Sequence, residues 1–222
     1  MTRYPLSKRC DYYFIEIEGR LWLLDTGAPL SFGDSDEITI SDRSFPISGD
    51  YFGLNAEVLG ELIGLDCEGL LGMDVLGQFD VIFNLPEGNI TVSSERLDCD
   101  STPVQLSDVM GVPIVECTIA DVRQRLFFDT GAKISYLVGG DSLVGSPSGD
   151  VIDFYPGFGE FTTSTQFVEI GLDGIHLEER VGSLPELIEM TLQMAGVDGI
   201  LSGEVLSRGA VGLFVRRGVM CL

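Results

Sequence analysis

The chain has 222 residues, of which 45 % are hydrophobic and 28 are glycine, with a formal net charge of −22. A chain of this size can bury a sizeable core without metal or disulfide help. Its acidity is spread along the sequence with no basic patch, which argues against nucleic acid or an anionic membrane as partner. Five cysteines (Cys10, Cys67, Cys99, Cys117, Cys221), with no Cys-x-x-Cys pair and a single His176, offer no metal-ligand spacing, so free thiols and no metal or cofactor are expected.

Val, Ile, Leu and Phe in short runs between glycines predict a mostly β protein of short strands and tight turns. The stretch Met1-Thr2-Arg3-Tyr4-Pro5-Leu6-Ser7 has no apolar run of signal-peptide length, and no later run reaches membrane-spanning length, so a cytoplasmic location is the expectation. Tyr13-Phe14-Ile15-Glu16-Ile17 predicts a strand. Trp22-Leu23-Leu24, with Trp22 expected in the core, predicts another that runs into Asp25-Thr26-Gly27-Ala28. Leu54, Val58 and Leu62 fall at i, i+4 and i+8, the spacing of one helix face. The apolar turn Glu68-Gly69-Leu70-Leu71-Gly72-Met73-Asp74-Val75-Leu76 follows, and a cluster of Asp, Ser, Thr and Pro near residues 98–102 marks a boundary between halves 1–100 and 101–222.

The second half opens the same way. Val115-Glu116-Cys117-Thr118-Ile119 and Phe127-Phe128 lead into Asp129-Thr130-Gly131-Ala132. Apolar and β-branched arms at residues 151–155 and 161–165, around Pro156-Gly157-Phe158-Gly159-Glu160, predict a β-hairpin. Asp173-Gly174 reads as a further hairpin turn that leaves His176 solvated. Leu184, Ile188 and Leu192 repeat the helix spacing, and Asp198-Gly199-Ile200-Leu201-Ser202-Gly203-Glu204-Val205-Leu206 repeats the apolar turn.

The chain is thus written twice. The two aspartates are offset by 104 residues and the two apolar turns by 130, so the second half carries an insertion of 26 residues, within residues 137–166. One Asp-Thr-Gly tripeptide means little, but two at the same place in a repeat, each after two bulky apolar residues and before Ala, are poorly explained by accident. Gly lets the chain bend away after a buried strand, leaving the Asp exposed at the strand end. If the halves pack about a pseudo-twofold axis, Asp25 and Asp129 meet. Two carboxyls in contact cannot both ionise cheaply and share a proton, which supplies one acid and one base without cofactor or covalent intermediate.

At these residues the chain resembles the pepsin and retropepsin superfamily of aspartic proteases, through the two Asp-Thr-Gly-Ala motifs and the turn Leu70-Leu71-Gly72. The resemblance implies an all-β-dominated bilobal fold with short helices, two pseudo-twofold-related lobes, and an endopeptidase that works as a monomer on a peptide or protein substrate. It implies Asp25 and Asp129 as catalytic residues, Thr26, Gly27, Thr130 and Gly131 as their support with the threonines interlocked beneath the dyad, and a glycine-rich flap over the substrate.

The repeat alignment assigns the only full hairpin to the second half, so a single flap with Tyr155, Gly157, Phe158 and Gly159 against substrate is expected. Ser48-Gly49-Asp50-Tyr51-Phe52-Gly53 is the competing candidate. Ser202 stands where the family turn normally has Gly, which predicts local distortion. Ala28 and Ala132 stand where pepsin-like enzymes usually place a hydroxyl that supports the ionised Asp, which shifts the expected optimum to about pH 5 to 6. The alternative function is a weak or inactive protease-like module that binds peptides without cleaving them.

Overall fold

The computed structural model describes residues 1–98, 101–140, 145–155 and 157–222. Residues 99–100 of the expected boundary, 141–144 of the insertion and Pro156 of the hairpin turn lie outside the described residues. The described chain is mostly β, with few and short helices. The first half contains β1 (Thr2–Arg9), β2 (Tyr12–Ile17), β3 (Arg20–Leu24), β4 (Phe32–Gly33), β5 (Glu37–Ile40), β6 (Arg43–Pro46), α1 (Ala56–Ile63), β7 (Gly69–Leu71), α2 (Met73–Leu76), β8 (Asp80–Asn84) and β9 (Asn89–Ser93). The second contains β10 (Pro103–Val109), β11 (Val112–Ile119), β12 (Val122–Asp129), β13 (Ser135–Leu137), β14 (Ser146–Tyr155), β15 (Gly159–Leu172), β16 (Ile175–Gly182), α3 (Glu186–Met194), β17 (Gly199–Ser202), β18 (Ala210–Phe214) and β19 (Val219–Cys221).

Local turn chemistry explains why the strands fold back so tightly. Several hairpins close through two consecutive residues at positive φ: Cys10 and Asp11, Glu18 and Gly19, Met110 and Gly111, Ala120 and Asp121, Asp173 and Gly174. That backbone matches the right-handed twist of paired strands.

Equivalent pairings recur in the two halves. β3 runs parallel to β7, with Leu24 opposite Leu71, and β4 pairs antiparallel to the other edge of β7. β12 runs parallel to β17, with Phe128 opposite Leu201, and β13 pairs antiparallel to β17. The halves also share one antiparallel sheet of order β1-β9-β8-β18-β19-β10, joined across the halves where β8 pairs with β18. There Asp80, 1 % exposed, binds Arg216 at 2.8 Å and Arg217 at 2.7 Å and accepts from the backbone of Leu97 at 3.0 Å.

β2 and the end of β3 are buried, as are Leu126 and Phe128 near the end of β12, and strand alternation divides these side chains and their neighbours between cores. Tyr13, Ile15, Trp22 and Leu24 enter one large central core that also takes Leu126, Phe128 and Leu201 from the second half. The intervening Tyr12, Phe14 and Leu23 pack with Leu59 and Ile63 of α1, while Ile200 packs with Ile188 and Leu192 of α3. Each such side chain contributes about 1.5–3 kcal/mol on burial.

Three expectations are corrected. Val58 is 37 % exposed, and the buried face of α1 is Ala56, Leu59, Gly60 and Ile63. Leu54 precedes the capping residue Asn55, whose side chain accepts from the backbone of Val58 at 2.9 Å, so Leu54 does not set the helical phase. Ser202 introduces no distortion in the pairing: its N–H donates to the Ser135 hydroxyl at 3.0 Å, just as the Gly72 N–H donates to Ser31 at 2.9 Å, and both residues are extended. Cys10, Cys67 and Cys117 are free, but Cys221 is disulfide-bonded. The absence of a close Cys spacing does not exclude a disulfide between distant cysteines.

Candidate active site

Asp25 follows the last residue of β3 and Asp129 is the last residue of β12, so two buried strands deliver the two Asp-Thr-Gly turns to one place. The threonines lock the turns to each other. Thr26 Oγ1 donates to the Phe128 carbonyl at 2.6 Å and accepts from the Thr130 N–H at 3.0 Å. Reciprocally, Thr130 Oγ1 donates to the Leu24 carbonyl at 2.7 Å and accepts from the Thr26 N–H at 3.1 Å. Both threonines are fully buried, so each hydroxyl donates one bond and accepts one where water could not serve it.

The carboxyl groups of Asp25 and Asp129 hydrogen-bond each other and keep partial exposure. Asp25 Oδ1 accepts from the backbone of Gly27 at 2.9 Å and Ala28 at 2.8 Å, and Asp129 Oδ1 accepts from Gly131 at 2.8 Å. Burial raises Asp25 well above the ordinary carboxyl range, and the Asp129 charge raises it further. Burial raises Asp129 too, opposed by the hydrogen bonds from Asp25 and Gly131 and reinforced by the charge of Asp153. A pair in this state holds one proton between two carboxyls over a broad pH range.

The glycines serve a purpose different from the expected bend. Neither Gly27 nor Gly131 takes a positive φ. A Cβ on Gly27 would lie 2.3 Å from the Asp129 carboxyl carbon, and one on Gly131 would lie 2.5 Å from that of Asp25. Each glycine leaves the space that the opposite aspartate occupies.

The predicted hairpin is present: β14 and β15 pair from Asp150 opposite Ser164 to Tyr155 opposite Gly159. Gly157 at φ +77° and Gly159 at φ +100° adopt left-handed backbone at its turn, which suits glycine. Tyr155 lines the dyad cavity, and the charges of Asp129 and Asp25 add to burial in raising its hydroxyl pKa. Gly157, Phe158 and Gly159 do not line that cavity; Phe158 is 43 % exposed, with its ring edge-on to Phe161 at 6.3 Å.

The competing segment at residues 48–53 forms a tight turn in which Tyr51 and Leu54 exchange backbone hydrogen bonds at 2.9 and 3.0 Å. Its Tyr51 hydroxyl also feels Asp25. The two candidate segments therefore approach the dyad from opposite halves.

The dyad cavity has a volume of about 70 Å³ and is walled by Leu23, Leu70, Leu184 and Ile200. Sequence reasoning gave no site role to several polar and aromatic residues at this cavity. Tyr136, Asp153, Phe154 and Phe161 all line it. The signal for Asp153 was strand alternation, since it stands two residues before Tyr155 on the same strand face. A larger cavity, about 460 Å³, lies elsewhere, lined by charges of both signs including Lys8, Glu179, Glu204 and Arg208.

Among the described residues no cluster of His, Cys, Asp and Glu is arranged to hold a metal, and no helix is long and apolar enough to cross a membrane. Comparison with protein-family models and with curated proteins finds no match for this chain.

Proposed function

We propose that the chain is a single-chain aspartic endopeptidase of the pepsin and retropepsin kind, with two pseudo-twofold-related lobes and the dyad at their junction. The observation that carries the reading is the convergence of the two Asp-Thr-Gly turns, their carboxyls hydrogen-bonded and their threonines reciprocally interlocked. In this reading the ionised member of the dyad takes a proton from water as it attacks the scissile carbonyl. The protonated member gives its proton to the carbonyl oxygen, and a second transfer releases the amine. No metal, cofactor or covalent intermediate is called for. The fused halves complete the site, so a monomer suffices.

The apolar cleft walls favour an extended peptide with apolar side chains flanking the cut. Asp153, Phe154, Tyr155 and Phe161 of the β14–β15 hairpin line the cavity together with the dyad, so in this reading the peptide runs between the hairpin and the two aspartates. Incubating the protein with a mixed, unstructured peptide library from pH 3 to 8, beside Asp129→Asn, tests the reading. Cleavage by the wild type, lost in the variant, is expected. Folded wild type that binds peptides but cuts none at any pH would replace it with the peptide-binding module.

A further inference from the structure

Asp153 is a buried acid, 6 % exposed, on the hairpin strand β14. Its Oδ2 accepts from the Tyr136 hydroxyl at 2.5 Å, and its Oδ1 accepts from the backbone of Phe154 at 2.9 Å and, more weakly, from the Tyr12 hydroxyl at 3.4 Å. Tyr12 belongs to β2 of the first half and Tyr136 to β13 of the second. The residues on either side of Asp153 are tied as well. The Phe154 ring packs on Tyr12 at 6.5 Å between centroids. Lys133 Nζ sits 5.3 Å from the Tyr12 ring centre and donates to the Ile152 carbonyl at 3.2 Å. Two residues beyond Asp153 the same strand delivers Tyr155 to the dyad cavity.

We propose that Asp153 is a positioning residue of the dyad site: gripped by Tyr12 and Tyr136, it pins β14 to both halves of the chain and so sets Tyr155 over the two aspartates. A carboxyl group suits this role better than an amide because its two oxygens can accept from all three donors at once.

The charge has a second consequence. Asp153 and Asp129 line the same cavity, and the Asp153 charge favours the protonated dyad. The other titratable groups around this cluster are Tyr12 and Tyr136 on the carboxylate itself, Lys133 beyond Tyr12, Asp11 beside Tyr12, and Asp25, Tyr155 and Tyr51 across the cavity. Lys133 is the cation among them, and it is held by the Ile152 carbonyl and the Tyr12 ring.

The inference deepens the peptidase reading, yet it can be tested without turnover. In Asp153→Asn the shape is kept and the charge removed; in Tyr136→Phe the charge is kept and its shortest hydrogen bond removed. Amide hydrogen exchange should quicken in β14 by about tenfold or more in both variants, the scale of a lost hydrogen bond to a charged group. The ¹³C titration of the dyad carboxyls, assigned with Asp129→Asn, should move to lower pH in Asp153→Asn.

If the wild type cleaves peptides, the alkaline limb of its rate profile should move the same way, and KM should rise more than kcat falls. Unchanged exchange in the variants overturns the pin, and an unmoved dyad titration in Asp153→Asn overturns the charge effect. A wild type that cleaves nothing would sink the peptidase reading alone, because exchange and titration still decide the role of Asp153. Should Asp153→Asn fail to fold, Tyr136→Phe and Tyr12→Phe carry the exchange test.

Discussion

At Glu179 burial works against chemistry. Its side chain is fully buried, and neither carboxylate oxygen has a hydrogen-bond partner among the described residues. Burial pushes its pKa up to about 7, and the nearby Glu204 charge adds to the rise; Arg208, at 4.0 Å, and the neighbouring Ser135 hydroxyl offset it only in part. A carboxyl raised on folding binds more protons in the native state, so its contribution to stability is full below its unfolded pKa and is lost as pH rises to about 7. Glu179→Gln should therefore stabilise the protein at pH 8 by roughly 3 kcal/mol, from ~1.4 kcal/mol per pKa unit, and change little at pH 4. Urea unfolding at the two pH values checks this; equal effects at both would show that Glu179 is not neutralised by burial.

Thr26 and Thr130 are the opposite case, fully satisfied and buried. Thr130→Val keeps the shape but leaves the Thr26 N–H and the Leu24 carbonyl without their partner. It should cost about 1–3 kcal/mol in urea unfolding and lower any peptide cleavage by displacing Asp129. These roles were legible in the residue types because Asp-Thr-Gly occurs twice in equivalent places. Asp153 carried no such mark.

At the scale of elements, the hairpin arms at residues 151–155 and 161–165 were legible from alternation and glycine placement, and β14 and β15 pair there. The helices were legible in place but not fully in phase, since the periodicity of Leu54 and Val58 crosses a cap that only the backbone reveals. The shared six-stranded sheet left no local signature. Its strands come from both ends and the middle of the chain, and its junction depends on Asp80 meeting Arg216 and Arg217 more than 130 residues away. Removing that carboxylate leaves the partly buried guanidinium groups of Arg216 and Arg217 only the carbonyls of Ser93, Ser94 and Leu97 as hydrogen-bond partners among the described residues, with no countercharge. Asp80→Ala should thus lower stability by about 3–5 kcal/mol, measured by urea unfolding, with a cost below about 1 kcal/mol marking the cluster as merely solvated.

At the scale of the whole molecule, a net charge of −22 repels itself at neutral pH, and folding raises the pKa of the dyad carboxyls and of Glu179. All three terms have the same sign: stability is present at acidic pH and is lost as pH rises towards and past neutrality. Tm should be higher at pH 5.5 than at pH 8, and added salt should raise it at pH 8 by screening. Calorimetry across pH and salt checks both; a Tm that falls on mild acidification would show that paired carboxylates, rather than repulsion, dominate.

Strand period, turn residues and the repeated Asp-Thr-Gly motif are local properties, written within a few residues, and the sequence alone determined them: a mostly β chain in two like halves, each presenting an aspartate at a strand end. Tertiary structure decided what depends on distant partners. It set Gly27 and Gly131 against the opposite aspartates, let Ser202 take the same hydrogen bond as Gly72, and placed Cys221 in a disulfide. It also gave Asp153 to Tyr12 across 141 residues of chain. Such contacts have no local period to read, because packing and hydrogen-bond satisfaction select them only once both halves have folded.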